Sequence, residues 1–317
     1  MTDVAGFRLD SMIGRGSEGE VWLAWPKEPG DPMPVALKIL RDRPQTPTMA
    51  GRTGTHPNLL RVTGVVRSGR DLILVMPFLG GGSMRDLLSE RGTLDPGEVA
   101  GVLMAVASAI EALHRSGVVH GDLKPENVMF AADGQPFVAD PPFDLGGGPV
   151  KASVGYAAPE LALRHEIGPA VDVFALGVIA YEALTGRRPH RGDERDVLVA
   201  ASAGSHRPLA SWPSISGEVA RVVEGALESD PARRPSSPMT WAEQLAATAG
   251  GDGVRLPGPA SVREVSRAGV CPTAEFGPRP PALSRPRRRV LTGPGWVALA
   301  ALVMVVGLWL LVHLGSP

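Results

Sequence analysis

Residues 120–127 read His120-Gly121-Asp122-Leu123-Lys124-Pro125-Glu126-Asn127, and Asp140 follows thirteen residues after Asn127. The run fixes a carboxylate (Asp122), a cation (Lys124) and two more oxygen donors (Asn127, Asp140) at set distances along the chain. Oxygens of Asn and Asp are the ligands that magnesium takes. A chance occurrence of the eight-residue run with Asp140 in register is remote, so this stretch constrains the fold more than any other.

Upstream, Ile13-Gly14-Arg15-Gly16-Ser17-Glu18-Gly19-Glu20-Val21 spaces three glycines two and three residues apart. Alone that spacing is weak in a chain with 39 glycines, because glycine also serves ordinary hairpin turns. The flanks decide. Phe7-Arg8-Leu9 and Val21-Trp22-Leu23-Ala24 read as strands, so the glycines join strand to strand. A dinucleotide-binding fold would open a helix at the last glycine, and is disfavoured. Val35-Ala36-Leu37-Lys38 follows as a third strand.

Together these stretches resemble the protein kinase family: H-R-D-L-K-P-x-N with its later metal-binding Asp, G-x-G-x-x-G-x-V and V-A-I-K. The resemblance implies an α+β, two-lobed fold, with a small β-rich N-lobe (about 7–79) and a larger helical C-lobe (about 80–249). It implies ATP and Mg²⁺ (or Mn²⁺) as cofactors and protein Ser/Thr hydroxyls as acceptors. By the same resemblance Asp122 is the catalytic base, Lys124 the cation at the transferring group, and Asn127 and Asp140 the metal ligands. Gly14, Gly16 and Gly19 cover the phosphates, Lys38 contacts them, and Val21 with Ala36 roofs the adenine. The segment Leu74-Val75-Met76-Pro77-Phe78-Leu79-Gly80-Gly81-Gly82-Ser83-Met84 is similar to the family's hinge, V-M-E-Y-x-x-G-G-S-L. Met76 is then the gatekeeper. Pro77 stands for the usual Glu and keeps the carbonyl that adenine needs while losing only an N–H. Leu79 would donate the other hinge bond.

Glu98–Arg115 is rich in Ala, Val, Leu and Met at helical spacing without internal proline, and stops at Ser116-Gly117. Ser153-Val154-Gly155-Tyr156-Ala157-Ala158-Pro159-Glu160 is similar to G-T-x-x-Y-x-A-P-E. Asp172-Val173-Phe174-Ala175-Leu176-Gly177 is similar to D-x-W-S-L-G and opens a buried helix reaching Leu184. Asp230-Pro231-Ala232-Arg233-Arg234-Pro235 is similar to D-P-x-x-R-P, whose arginine, here Arg234, pairs with Glu160 in the family. Small-molecule phosphotransferases lack these last features, so the resemblance over residues 7 to about 249 points to protein kinases. Lys124, two residues after Asp122, is the Ser/Thr-type arrangement. In the family that lysine and the residue at Ser153 both bond the catalytic Asp.

Four positions depart from the family. No Glu lies between Glu28 and Glu90, so the helix-C partner of the lysine is missing, and Arg41–Thr55, with Pro44, Pro47, Gly51 and Gly54, is poor helix material. Asp140-Pro141-Pro142 replaces D-F-G. Gly121 replaces the Arg of H-R-D. No Ser, Thr or Tyr lies between Asp140 and Ser153. The last two losses are coherent, since the arginine clamps a phosphorylated loop and this loop has no hydroxyl to phosphorylate. Asp140 or Glu18 is expected to replace helix C as the partner of Lys38. A catalytically weak or inactive pseudokinase, a membrane-tethered nucleotide-binding scaffold, is the alternative reading.

Composition shifts at Gly250. Residues 250–295 are rich in Gly, Pro and Arg without hydrophobic period, as in a disordered linker, and residues 250–289 hold eight Arg against three acids. Trp296–Leu314 is nineteen residues without formal charge, about 28 Å as a helix, close to the bilayer core of about 30 Å. We expect one C-terminal transmembrane helix at 296–314. Arg285, Arg287, Arg288 and Arg289 precede it and place the kinase lobes in the cytoplasm of a single-pass cell-membrane protein. With a span following, the arginines are read as membrane-proximal and no nucleic-acid partner is expected. Gly315-Ser316-Pro317 is too short for an outer sensor, and no N-terminal signal peptide is read. The single Cys271 excludes an intramolecular disulfide, the seven histidines show no metal spacing, and homodimerisation stays open.

Overall fold

Alternation along six short strands builds the first lobe. In the computed structural model, which describes residues 3–16, 19–27, 33–43, 55–141, 152–162 and 167–250, these are β1 (Asp3–Val4), β2 (Phe7–Arg15), β3 (Gly19–Pro26), β4 (Val35–Leu40), β5 (Gly64–Ser68) and β6 (Asp71–Pro77). They form one antiparallel sheet in the order β1-β2-β3-β4-β6-β5. In β4, Leu37 and Ile39 are buried with Phe7, Leu9, Ala24, Ile73 and Val75, which leaves Ala36 and Lys38 on the other face. The register sets Val21 opposite both Gly14 and Lys38, and Ala36 opposite Met76. Directly opposed residues share a face. The sheet therefore gathers Gly14, Val21, Ala36, Lys38 and Met76 on one side.

The second lobe is helical: α1 (Met84–Arg91), α2 (Pro96–Arg115), α3 (Pro159–Ala162), α4 (Ala170–Thr185), α5 (Glu194–Ser202), α6 (Gly217–Ala226) and α7 (Pro238–Ala249), with a two-stranded ribbon, β7 (Val128–Phe130) and β8 (Pro136–Val138), after the catalytic loop. Local chemistry fixes the starts. Ser83 and Asp86 form a capping box on α1, as Asp95 and Glu98 do on α2, where Pro96 takes the first turn. Every residue of α4 from Val171 to Leu184 is buried, the pattern of a central helix. Gly177 permits this, since a Cβ there would stand 2.8 Å from Ala226 Cβ on α6. Trp241 on α7 is fully buried and donates its indole N–H to Val222 O of α6 at 2.9 Å.

Among the described residues α2 alone is long and apolar enough to cross a membrane. Its Val99, Leu103, Val106, Ile110 and Leu113 are fully buried in the core it shares with α4 and α7, so it is a core helix of this lobe. Helix α7 ends where the composition changes, and Gly250 caps it in the left-handed conformation (φ 67°). The expected linker from residue 251 on, the expected span 296–314, Glu18 and the segment 44–54 lie outside the described residues.

Candidate active site

A buried carboxylate organises the catalytic loop. Asp172, in the first turn of α4, is 1% exposed and accepts the backbone N–H groups of His120 and Gly121, both at 2.8 Å. It also meets His114 Nε2 at 2.7 Å. A polar side chain this deep is tolerated only when it is hydrogen-bonded. Gly121 takes φ 73°, a left-handed conformation that costs glycine nothing. His120, 2% exposed, accepts the Asp122 N–H at Nδ1 (3.3 Å), so its Nε2–H donates to Ala139 O (3.1 Å). Asn127 O accepts the N–H of the same Ala139 at 2.8 Å. The catalytic loop is thus stitched to the residue that precedes Asp140.

Around Asp122 a lysine and a distant backbone N–H divide the two carboxylate oxygens. Lys124 Nζ donates to Asp122 Oδ2 (2.6 Å) and to Ser153 Oγ (2.8 Å), and the Ser153 N–H donates to Asp122 Oδ1 (2.8 Å). Both Lys124 and Ser153 thus bond the aspartate, as the resemblance implies, Ser153 through its backbone N–H while its hydroxyl serves the lysine. The Asn127 side chain donates its Nδ2–H to Asp122 O at 2.8 Å. That bond fixes the amide and turns Oδ1 away as a free acceptor.

Asp140 takes φ 57°, rare for a non-glycine. Its Oδ1 receives Lys38 Nζ at 2.5 Å, so β4 of the first lobe reaches the loop of the second. Lys38 is 9% exposed, whereas the Asp140 side chain is 37% exposed. Of the two partners expected for Lys38, Asp140 is found in place.

The segment running from Ser153 ends in a buried ion pair. Arg234 Nη1 and Nη2 bind Glu160 Oε1 and Oε2 at 2.6 and 2.9 Å. Its remaining N–H groups go to Glu228 O, Ala170 O and Ser229 O, so all five donors are used. Its guanidinium lies 4.9 Å from the Phe174 ring centre. Beside this loop is a cluster that the sequence reading missed. Arg85 of α1 donates to Glu126 Oε1 (2.9 Å), to Glu182 Oε1 and Oε2 (3.1 and 3.2 Å) and to Tyr156 Oη, which itself donates to Glu182 Oε2 (2.5 Å). Burial and the Glu182 carboxylate push the Tyr156 phenol up, so it stays a donor. Burial lowers Arg85, but its bonds to Glu182 and Glu126 outweigh this and raise it overall. The signal was Glu182, an acid inside the apolar run 173–184, because a buried acid implies a partner.

Toward the sheet, a Cβ at Gly16 would meet nothing within 4 Å, while one at Gly14 would just touch Val21. Gly19 differs: a Cβ there would lie 2.0 Å from Ile39 O, so this glycine answers first to the close approach of β4. Met76 and Pro77 are half-buried at the end of β6, and Leu79 is buried with Ala131 and Phe137. No group of three or more His, Cys, Asp or Glu converges among the described residues.

The sequence matches the protein kinase domain family over residues 7–247. The serine/threonine-protein kinase PknA of Mycobacterium tuberculosis is 30% identical, over 83% of this chain and 65% of its own length. Serine/threonine-protein kinase drp72 of Corynebacterium efficiens is 30% identical, over 72% of this chain and 48% of its own. Calcium/calmodulin-dependent protein kinase type 1B of Rattus norvegicus is 32% identical, over 72% and 71%. The chain spans less than two thirds of the two bacterial relatives. With the two-lobed fold and the loop geometry above, the match makes this chain a member of the protein kinase family, of the eukaryotic-like Ser/Thr type found in bacteria.

Proposed function

We propose that this chain is a Ser/Thr protein kinase that transfers the γ-phosphate of ATP to protein hydroxyls at the cytoplasmic face of a membrane. The observation that carries the reading is the bracket around Asp122, whose carboxylate is held by Lys124 and by the Ser153 N–H. Each of its oxygens keeps a lone pair free to orient an incoming hydroxyl and take its proton. Lys124 stands beside it as the cation for the charge that develops on the transferring group.

The residues present fit the cofactors. Asn127 Oδ1 and the half-exposed Asp140 carboxylate are hard oxygen donors for Mg²⁺, and the space over Gly16 admits phosphate oxygens against bare backbone. Magnesium bound there would neutralise phosphate charge. Lys38 needs a fixed position to meet the phosphates. Its pairing with Asp140 supplies one without the helix glutamate that the sequence lacks between Glu28 and Glu90. That same pairing favours the pseudokinase reading if the lysine never leaves the carboxylate.

Incubating the full-length chain with labelled ATP, Mg²⁺ and a generic Ser/Thr protein substrate decides between the two. Label on serine or threonine that vanishes in Asp122→Asn supports the kinase. Thermal stabilisation by Mg-ATP without any transfer supports the scaffold. The membrane placement rests on the uncharged stretch Trp296–Leu314 and the four arginines before it. Fractionation of the full-length chain with the cytosol, or digestion of the kinase lobes by protease outside intact cells, would overturn it.

A further inference from the structure

Beside the loop that leads away from Asp122 stands a cation, Arg188, with no ion pair among the described residues. Ser153 is bonded to Asp122, and Gly155 and Tyr156 follow two and three residues later, within about 7–10 Å of extended chain. Arg188, just after the Gly186 cap of α4, lays its guanidinium on this loop. A Cβ at Gly155 would stand 1.6 Å from Arg188 Nη1 and 2.9 Å from Cζ. The same Cζ is 5.8 Å from the centre of the Tyr156 ring. Gly155 has no unusual φ, and the guanidinium occupies the space that a side chain there would take.

The charges around it are already matched. Glu126 and Glu182 are both taken by Arg85, and Asp122 is taken by Lys124. Asp193 caps α5, whose first turn also holds Glu194 and Asp196, acids that suit a helix N-terminus. None of them pairs with Arg188, which has no hydrogen bond or ion pair among the described residues. Arg187 and Arg191 beside it are exposed. Among the described residues Arg188 thus keeps an unpaired charge, as a half-buried guanidinium set over the ring of Tyr156, three residues along the chain from Ser153.

We infer that Arg188 is a specificity-determining residue that selects substrates carrying an anionic side chain, carboxylate or phosphate, within about three residues of the acceptor hydroxyl. The inference rests on the kinase reading above. A guanidinium forms its strongest hydrogen bonds with such anions, and one held on a ring loses less freedom on binding than a free surface arginine.

The test uses the full-length chain with Mg-ATP and a neutral Ser/Thr peptide, varied by single Asp, phosphoserine or Lys substitutions on either side of the acceptor. The wild type should favour acidic peptides about tenfold in kcat/KM, equivalent to about 1.4 kcal/mol. Comparing the Asp and phosphoserine arms tells a plainly acidic substrate from one already phosphorylated. Arg188→Glu should move the preference to the lysine series. Gly155→Ala, which displaces the guanidinium without changing any charge, should weaken the acidic preference. Equal rates across the three wild-type series, or an acidic preference that survives in Arg188→Glu, would overturn the inference. If no peptide is phosphorylated, the kinase reading fails, and the inference is then decided by fluorescence anisotropy of the same peptides. Tighter binding of acidic peptides, lost in Arg188→Glu, supports it, and equal affinities overturn it.

Discussion

Two cation–carboxylate pairs of this protein obey opposite rules. Arg234–Glu160, in the helical lobe, has a guanidinium side chain with no exposure, every N–H used and an aromatic ring beside it. Lys38–Asp140 joins the lobes, and its carboxylate is more than a third exposed. A saturated, dry pair can only hold its place, since any exchange leaves a buried charge unmatched. A pair with one wet partner can trade contacts, as a site that must admit phosphate and metal requires. The chain has therefore kept rigidity where the segment from Ser153 is anchored and exchangeability where Asp140-Pro141-Pro142 departs from the family.

Arg234→Ala should break the first pair most severely. It strands Glu160 without its counter-ion, and removal of one partner of a buried pair costs about 3–5 kcal/mol. Denaturant unfolding of the full-length chain followed by far-UV circular dichroism reads this directly. Lys38→Met should cost less than about 1 kcal/mol by the same measurement, because a part-exposed pair is worth little. Equal losses would erase the contrast.

A second buried group in the same lobe sharpens the rule by violating it. Phe174, which lies under Arg234, also stacks with His190 (ring centres 6.0 Å apart). His190 is 2% exposed, and its Nε2 has no hydrogen-bond partner among the described residues. Burial, helped by neighbouring His206, pushes its pKa down to about 4. Tyr181 stands edge-on to His206, and Glu224 approaches His206 Nε2 at 3.7 Å. The unfolded chain binds this proton below its ordinary pKa of about 6.5, while the folded one resists until about 4. Stability should therefore fall as pH drops through that window, by up to about 3 kcal/mol from this group. His190→Phe should remove that part of the slope, so the variant gains on the wild type as the medium is acidified. Parallel pH profiles would show that His190 is accommodated in its charged form.

The exchangeable pair is tested by nucleotide. At a hundredfold excess over Kd, Mg-ATP should stabilise the wild type by about 2.7 kcal/mol. Asp140→Asn and Lys38→Met should each lose most of that shift while leaving the ligand-free melting curve nearly in place. A wild type that shows no shift at millimolar Mg-ATP would mean that Lys38 stays locked on Asp140.

How far the sequence could be read follows the same divide. The strands of the first lobe, the long apolar helix, and the pairing of Arg234 with Glu160 were legible because each leaves a period or a motif. Asp172 was legible as a motif residue, but its work, accepting two loop N–H groups and meeting His114, was not. Contacts between residues about 50–100 positions apart, such as Arg85 with Glu182, leave no local pattern. Gly19 was legible only as part of a spacing that suggested phosphate, and the room its missing Cβ makes for Ile39 O was not. Gly155 left no signal at all, since its meaning depends on where Arg188 lies.

Gly121 gives a small effect that discriminates most. By sequence it is a lost arginine, released because no hydroxyl lies between Asp140 and Ser153. By structure it is also a left-handed residue, φ 73°, whose N–H must point at Asp172 Oδ1. Gly121→Ala adds a Cβ to that conformation and should cost about 1–2 kcal/mol, seen as a lower denaturation midpoint at unchanged slope. Gly121→Arg restores the family's side chain at the same backbone strain, yet finds no phosphorylated loop to clamp. It should therefore be destabilised like the alanine variant, and its transfer rate should not change on phosphatase treatment. An arginine variant that is faster than the wild type and slowed by phosphatase would show that the clamp was lost alone, and that a phosphorylated group still sits within its reach.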